Sequence, residues 1–185
     1  MRIISGKLKG KKLFLPKDKS TRPLKDLVKE SIFNLLKHSN KIKIDIENSL
    51  ILDLFSGSGS FGIECISRGS QNVYFFENYS KAIEILQKNL SKLKKNNYKI
   101  FKADCFMFFD SNEKINKKFD IIFIDPPYKE IRVNNLLEKI LEKKLLKNNG
   151  IFIIHRHQKD KLELTKKIKM IDIRIYGNSK IYIAN

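Results

Sequence analysis

The four residues Asp125-Pro126-Pro127-Tyr128 place an acid, two prolines and an aromatic ring directly after the apolar run Phe119 to Ile124. Two prolines after a buried strand fix the backbone and remove two donors, so the nearby carbonyls are expected to point outward unpaired. A carboxylate, a bared carbonyl and a ring in one loop suit a planar group that carries an exocyclic amine. Asp125 and the Pro126 carbonyl can each accept a hydrogen bond from the NH2. That favours pyramidal nitrogen and frees a lone pair otherwise delocalised into the ring. Tyr128 can stack on the planar group, a contact worth about 1–3 kcal/mol for nucleic-acid bases. A purely structural double-proline turn is the competing reading.

A second stretch, Leu50 to Gly62, supplies a ligand loop. Leu50 to Leu52 reads as a buried parallel strand, Gly57-Ser58-Gly59-Ser60-Phe61-Gly62 fits the G-x-G-x-x-G spacing, and a helix from Phe61 to Arg68 stops at Gly69. Such a turn lets a nucleotide-like ligand approach the backbone closely. The motif is weak alone, because a tight structural turn has the same spacing. Glu77 strengthens it: it ends the run Asn72 to Glu77, 20 residues after Gly57, the spacing at which an acid takes both hydroxyls of a ribose. Asp53 and Asp104 also fall at or near strand ends. Asp104 suits an adenine amino group or an N-cap for Cys105 to Phe109, and both readings stay open.

These residues need a scaffold that brings strand ends to one rim. Further strands are read at Tyr98 to Phe101, Phe119 to Ile124 and Ile151 to Ile154, with a hairpin of Ile168 to Tyr176 and Lys180 to Ala184 joined at Gly177-Asn178. Helices are expected from Thr21-Arg22-Pro23 through Leu36, from Ser80 as cap through Leu93, and from Val133 to Leu146, followed by a turn at Asn148-Asn149-Gly150. Alternating strands and helices imply a parallel sheet covered on both faces, with ligands outside the carboxyl ends of the strands. Residues 41–185 form the expected α/β domain. Residues 1–40 form an N-terminal extension, a basic β-hairpin or two short strands followed by a helix.

The 185 residues allow one well-buried domain and exclude two. Cys65 and Cys105 lack the paired spacing of a disulfide framework or a zinc site. No apolar run approaches the roughly 20 residues that span a bilayer, and Met1-Arg-Ile-Ile-Ser-Gly has no signal-peptide core. The expectation is a soluble, cytoplasmic protein without metal. A net charge of +18 and a pI of 9.8 favour a polyanion partner, although a composition crowded with Lys, Asn and Ile accounts for part of the excess. Lys7, Lys9, Lys11 and Lys12 read as a phosphate-binding patch or as a charged edge that blocks aggregation.

Together, Asp53 to Gly62, Glu77, Asp104 and Asp125 to Tyr128 resemble the motifs of class I S-adenosylmethionine-dependent methyltransferases that methylate amines. The chain is similar throughout to the RsmD family of bacterial 16S rRNA guanine-N2 methyltransferases. The likeness includes Arg2-Ile-Ile-Ser-Gly-Lys-Leu-Lys-Gly, Thr21-Arg22-Pro23, Val28-Lys29-Glu30, Phe33-Asn34, Ser67-Arg68-Gly69 and the Tyr176-Gly177 hairpin. It implies a Rossmann-like, seven-stranded, mostly parallel sheet with an antiparallel last strand. It implies a cofactor site of Asp53, Phe55, Ser56, Gly57, Gly59, Glu77, Asn78, Asp104 and Cys105 for S-adenosylmethionine, with S-adenosylhomocysteine as product. It also implies that Asp125, Pro126, Pro127 and Tyr128 hold a flipped guanine. Lys7, Lys9, Lys11, Lys12 and Arg22 are the expected contacts to 16S rRNA or a small-subunit particle, and a monomer is the expected unit. One departure is Ile154-His155-Arg156-His157, where relatives often carry a glutamate; His155 and His157 are read as rim residues facing RNA phosphate. A non-catalytic RNA binder, a nicotinamide dehydrogenase and a DNA adenine-N6 methyltransferase are the rival readings. The acid-proline loop counts against the first, the short chain against the second, and the lack of a target-recognition insertion against the third.

Overall fold

The structure, a computed structural model, describes residues 1–16 and 24–185. The expected helix start at Thr21-Arg22-Pro23 and the expected RNA contact Arg22 lie outside the described residues.

Strand β1 (Leu50–Leu54) and strand β4 (Phe119–Ile124) carry apolar side chains at nearly every position, so both of their faces must be covered. Alternation sends Ile121 and Phe123 to one apolar cluster and Ile122 and Ile124 to the other. The first cluster is closed by α1 (Asp26–His38), α2 (Ser60–Ser67) and α3 (Ser80–Ser91), and the second by α4 (Cys105–Asp110) and α5 (Val133–Glu142). The remaining strands are β2 (Asn72–Phe76), β3 (Tyr98–Phe101), β5 (Leu146–His157), β6 (Met170–Tyr176) and β7 (Ser179–Ala184).

The seven strands run in the order β3-β2-β1-β4-β5-β7-β6. The first five are parallel, and β7 is antiparallel to both β5 and β6. The expected mostly parallel sheet with its antiparallel end is present. The chain winds outward from β1 to β3, then restarts at β4 on the other side of β1. That reversal opens a crevice between the carboxyl ends of β1 and β4, where such sheets hold ligands. Phe61 packs beneath it, stacked on Phe123 at 4.0 Å and on Phe33 at 5.3 Å.

Several boundaries differ from the sequence reading for identifiable reasons. Strand β1 continues past Leu52, so Asp53 is a strand residue paired with Phe75 and Phe123. Ser80 does not cap α3: Tyr79 holds the cap position and Ser80 is the first helical residue. Helix α5 stops at Glu142, near Lys144 in the left-handed region (φ 52°), because Leu145 and Leu146 turn into the second apolar cluster. Asn148-Asn149-Gly150 is a bulge within β5, since Phe119 pairs with Leu146 and Ile121 with Ile151.

The N-terminal hairpin is reduced to one antiparallel bridge, Arg2 with Lys12. The Ile3, Gly10 and Leu13 amides still bond across it, whereas the Ile4 and Ser5 amides donate to the buried carboxylate of Glu64 at 2.8 and 2.9 Å. Ile3 and Leu13 are buried in the first apolar cluster, so this segment is built into the domain surface. Lys29 has no exposed surface; its Nζ donates to the Arg2 carbonyl at 2.8 Å and lies 3.9 Å from Glu64. Burial pushes the Lys29 amine below its ordinary pKa, against the opposing pull of Glu64 and Asp26.

Candidate active site

A cleft of about 360 Å³ opens at the strand-order reversal. Asp53, Phe55, Ser56, Gly57, Glu77 and Asn78 line one side, and Asp125, Pro126, Pro127 and Tyr128 line the other. The two stretches read as a ligand loop and a base-binding loop therefore face a common space. Gly59, Asp104 and Cys105 do not line it.

The glycine loop is held by carboxylates that accept from backbone amides. Glu77 Oε2 accepts from the Gly57 amide at 2.7 Å, and Oε1 accepts from the Asn78 and Tyr79 amides at 3.0 and 2.9 Å. Glu77 thus ties the loop to the start of α3 while lining the cleft. Gly57 (φ +54°) has open space where a side chain would lie, so a ligand can meet its backbone. Gly59 (φ +82°) does different work, because a Cβ there would sit 2.4 Å from Leu86 of α3. Its role is close packing.

Asp53 is buried, and its Oδ2 accepts from the Gly62 amide at 3.0 Å. Burial pushes its carboxyl well above the usual carboxylate range; the Gly62 bond opposes this, and the nearby charges of Asp125 and Glu77 add to it. An acid so placed gains from a cation entering the cleft. Asp104 fills its alternative role: Oδ1 accepts from the Phe106 and Met107 amides and caps α4. Its Oδ2 accepts from Asn78 Nδ2 at 3.1 Å, which links it to the cleft at one remove. Cys65 and Cys105 are free and buried, and burial pushes both thiols up, away from the thiolate form a nucleophile needs.

The second loop is held by side chains from β5. Register puts Ile154 beside Ile124, so His155 falls next to Asp125. His155 Nδ1 lies 2.8 Å from Asp125 Oδ1, and Nε2 lies 2.8 Å from Ser179 Oγ. The expectation that His155 is a rim residue is corrected by its burial (1% exposed). His157 does lie at the surface side, where its ring meets Tyr128 edge-on at 4.9 Å. Arg156, whose role local spacing does not reveal, donates to the carbonyls of Pro127, Tyr128 and Glu130 at 3.3, 3.0 and 2.8 Å. The expectation of unpaired carbonyls therefore fails at Pro127, which also accepts from the Glu130 amide in a tight turn. It holds at Pro126, whose carbonyl receives no donor among the described residues.

Lys7, Lys9, Lys11 and Lys12 are all exposed on the N-terminal segment. That segment reaches the glycine loop through Asn89, which accepts from the Phe14 amide at 2.8 Å and donates to the Ser58 carbonyl at 2.9 Å. Among the described residues no helix is long and apolar enough to cross a membrane.

A family profile described as "Conserved hypothetical protein 95" matches residues 1–185. The ribosomal RNA small subunit methyltransferase D of Buchnera aphidicola subsp. Baizongia pistaciae is 32% identical, over 96% of this chain and 92% of its own. The chain belongs to this RsmD family. It is a methyltransferase. YlbH of Bacillus subtilis is 38% identical over 86% of this chain and 84% of its own. The solved structure of yhhF from Escherichia coli superposes with a TM-score of 0.83 at 24% identity, covering 100% of this chain and 96% of that one. That likeness carries the fold, and the RsmD membership rests on the sequences.

Proposed function

We propose that this RsmD-family protein transfers a methyl group from S-adenosylmethionine to the exocyclic N2 of a guanine in 16S rRNA, leaving S-adenosylhomocysteine. The observation that carries the reading is the meeting of Asp125 to Tyr128 with Gly57 and Glu77 in one cleft. A nicotinamide dehydrogenase or a pure RNA binder would have no use for the first loop.

The residues suit the cofactor. Gly57 leaves room for a ligand at its backbone, the Glu77 carboxylate suits ribose hydroxyls, and the buried acid Asp53 suits a positively charged methionine part. When bound, S-adenosylmethionine supplies an electrophilic methyl group on a cationic sulfur. The protein's own work is positioning and charge placement. Asp125 and the Pro126 carbonyl accept from the two amine hydrogens, and Tyr128 stacks on the base. Asp125 then stands where the proton lost by the methylated amine must go. A base in a structured RNA has to leave its stack to reach this cleft. Lys7, Lys9, Lys11 and Lys12 on the N-terminal extension (residues 1–40) grip RNA phosphates beside the methyltransferase domain (residues 41–185). The working unit is a monomer acting in the cytoplasm.

Transfer of labelled methyl from S-adenosylmethionine to unmethylated small-subunit particles, naked 16S rRNA and duplex DNA tests this reading. Label recovered as N2-methylguanine in rRNA supports it. Label in DNA alone, or as another base in RNA, overturns it.

A further inference from the structure

We infer that His155, pinned by Ser179, is a positioning residue that sets the orientation of the Asp125 carboxylate before the amine arrives; the inference rests on the methyl-transfer reading above. His155 and Ser179 are 1% and 3% exposed, on neighbouring strands β5 and β7. The imidazole bridges Asp125 Oδ1 and Ser179 Oγ with two contacts of 2.8 Å. An ionised carboxylate only accepts hydrogen bonds, so Nδ1 carries the proton and donates to Oδ1. The serine hydroxyl can donate to a bare Nε2 or accept from a protonated one, so it holds the ring in either state.

The consequence falls on Asp125. One of its oxygens is committed to His155, while Oδ2 receives no donor among the described residues. The side chain remains 18% exposed toward the cleft. A carboxylate fixed at one oxygen offers the other in a single direction. Without His155 the carboxylate would rotate about its last torsion and meet the amine in many orientations. A terminal torsion of this kind is broad in the absence of a partner. Tyr128 adds a third wall, its ring centre 6.2 Å from the imidazole centre.

The test compares wild type, His155→Ala, His155→Asn and Ser179→Ala in methyl transfer to unmethylated 16S rRNA, with RNA and cofactor each varied. Asparagine carries an amide N–H close to the position of Nδ1, so it keeps the donor while losing the ring. With misplacement by about 1 Å costing about 100-fold, His155→Ala should lower kcat roughly 30- to 100-fold. KM for RNA and cofactor affinity should stay within about two-fold of wild type, because binding does not depend on this torsion. His155→Asn should recover to within about ten-fold of wild type, and Ser179→Ala should lose about three- to ten-fold. Thermal melting of each variant separates misfolding from misorientation. Equal losses in His155→Ala and His155→Asn overturn the inference, as does a loss confined to KM, cofactor affinity or melting. An active wild type with full kcat in His155→Ala overturns it while the methyl-transfer reading stands. Absence of transfer by the wild type would instead defeat that reading itself.

Discussion

The two walls of the cleft are held by different kinds of bond. The glycine-loop wall is fixed by carboxylates receiving backbone amides: Asp53 from Gly62, and Glu77 from Gly57, Asn78 and Tyr79. The acid-proline wall is fixed by side chains of β5, with His155 on the Asp125 carboxylate and Arg156 on three loop carbonyls. Prolines explain the difference. A loop that begins Asp-Pro-Pro has given up two amide donors, so its order has to come from another strand. A glycine loop keeps its amides and can be held by acids near in sequence or on the adjoining strand. In the proposed function, backbone order therefore serves cofactor binding, and side-chain order serves transfer.

Asp125→Ala offers the largest break in that comparison. It removes the proposed amine acceptor and should lower kcat by about 10²–10³-fold, the range seen when one preorganised transition-state partner is deleted. Cofactor affinity should be unchanged, because the other wall is intact. Single-turnover transfer together with a cofactor titration checks both halves. Comparable losses in the two would mean that the walls are not separable.

Arg156→Met comes next and tests whether side chains order the acid-proline wall. Arg156 is buried, its Nε lies 2.5 Å from Asp160 Oδ2, and its fork serves three carbonyls. Methionine keeps the apolar stem but leaves those acceptors unsatisfied, at a cost of about 2–4 kcal/mol. Denaturant unfolding should show a lower midpoint with an unchanged slope, and kcat should fall more than cofactor affinity. A variant as stable as wild type would assign the loop's order to the prolines alone.

The contrast also explains what the sequence could reveal. Gly57, Glu77 and the Asp125 to Tyr128 run are legible because local spacing after a strand carries their geometry. The alternation of apolar runs and helical spacing implies a parallel sheet covered on both faces, whereas the seven-stranded form with its antiparallel end is what the family resemblance implies. His155 and Arg156 are not legible in that way. Their partners lie about 30 residues upstream, and only the β4–β5 register joins them. A signal was available: in two adjacent parallel strands the residues that follow a matched pair are neighbours, and after Ile124 and Ile154 these are Asp125 and His155. The N-terminal segment hides its attachment for a similar reason. Glu64 and Asn89 look like ordinary helix residues, yet they hold the Ile4, Ser5 and Phe14 amides from 59 to 75 positions away.

Glu77→Ala is expected to act on the other wall and with smaller effect. Loss of the charged acceptor proposed for the ribose hydroxyls is worth about 1.5–3 kcal/mol, or roughly 10- to 150-fold in cofactor Kd. The loss of its bonds to Gly57, Asn78 and Tyr79 loosens the same loop. At saturating cofactor, kcat should recover to within a few-fold of wild type. Calorimetric titration and saturation kinetics together distinguish this from a defect in transfer.

Asp53→Asn sharpens the comparison most finely, because here stability and binding should move in opposite directions. Burial holds the Asp53 carboxyl above its unfolded pKa of about 3.9, so the folded chain binds the proton more tightly. Stability from this group is therefore complete below pH ~4 and declines as pH rises toward the elevated folded value. Asparagine carries no charge to desolvate, and its side-chain oxygen can still accept from the Gly62 amide. At neutral pH the ligand-free variant should melt a few degrees higher, since about 1 kcal/mol moves Tm by roughly 2–4 °C in a chain of this size. Its Tm should also fall less than that of wild type between pH ~4 and 8. Cofactor binding should weaken, because a cation in the cleft is what makes the buried carboxylate favourable. If the variant melted lower and bound cofactor as well as wild type, Asp53 would be a structural acid of the glycine loop. The cation would then have to be held from the acid-proline wall.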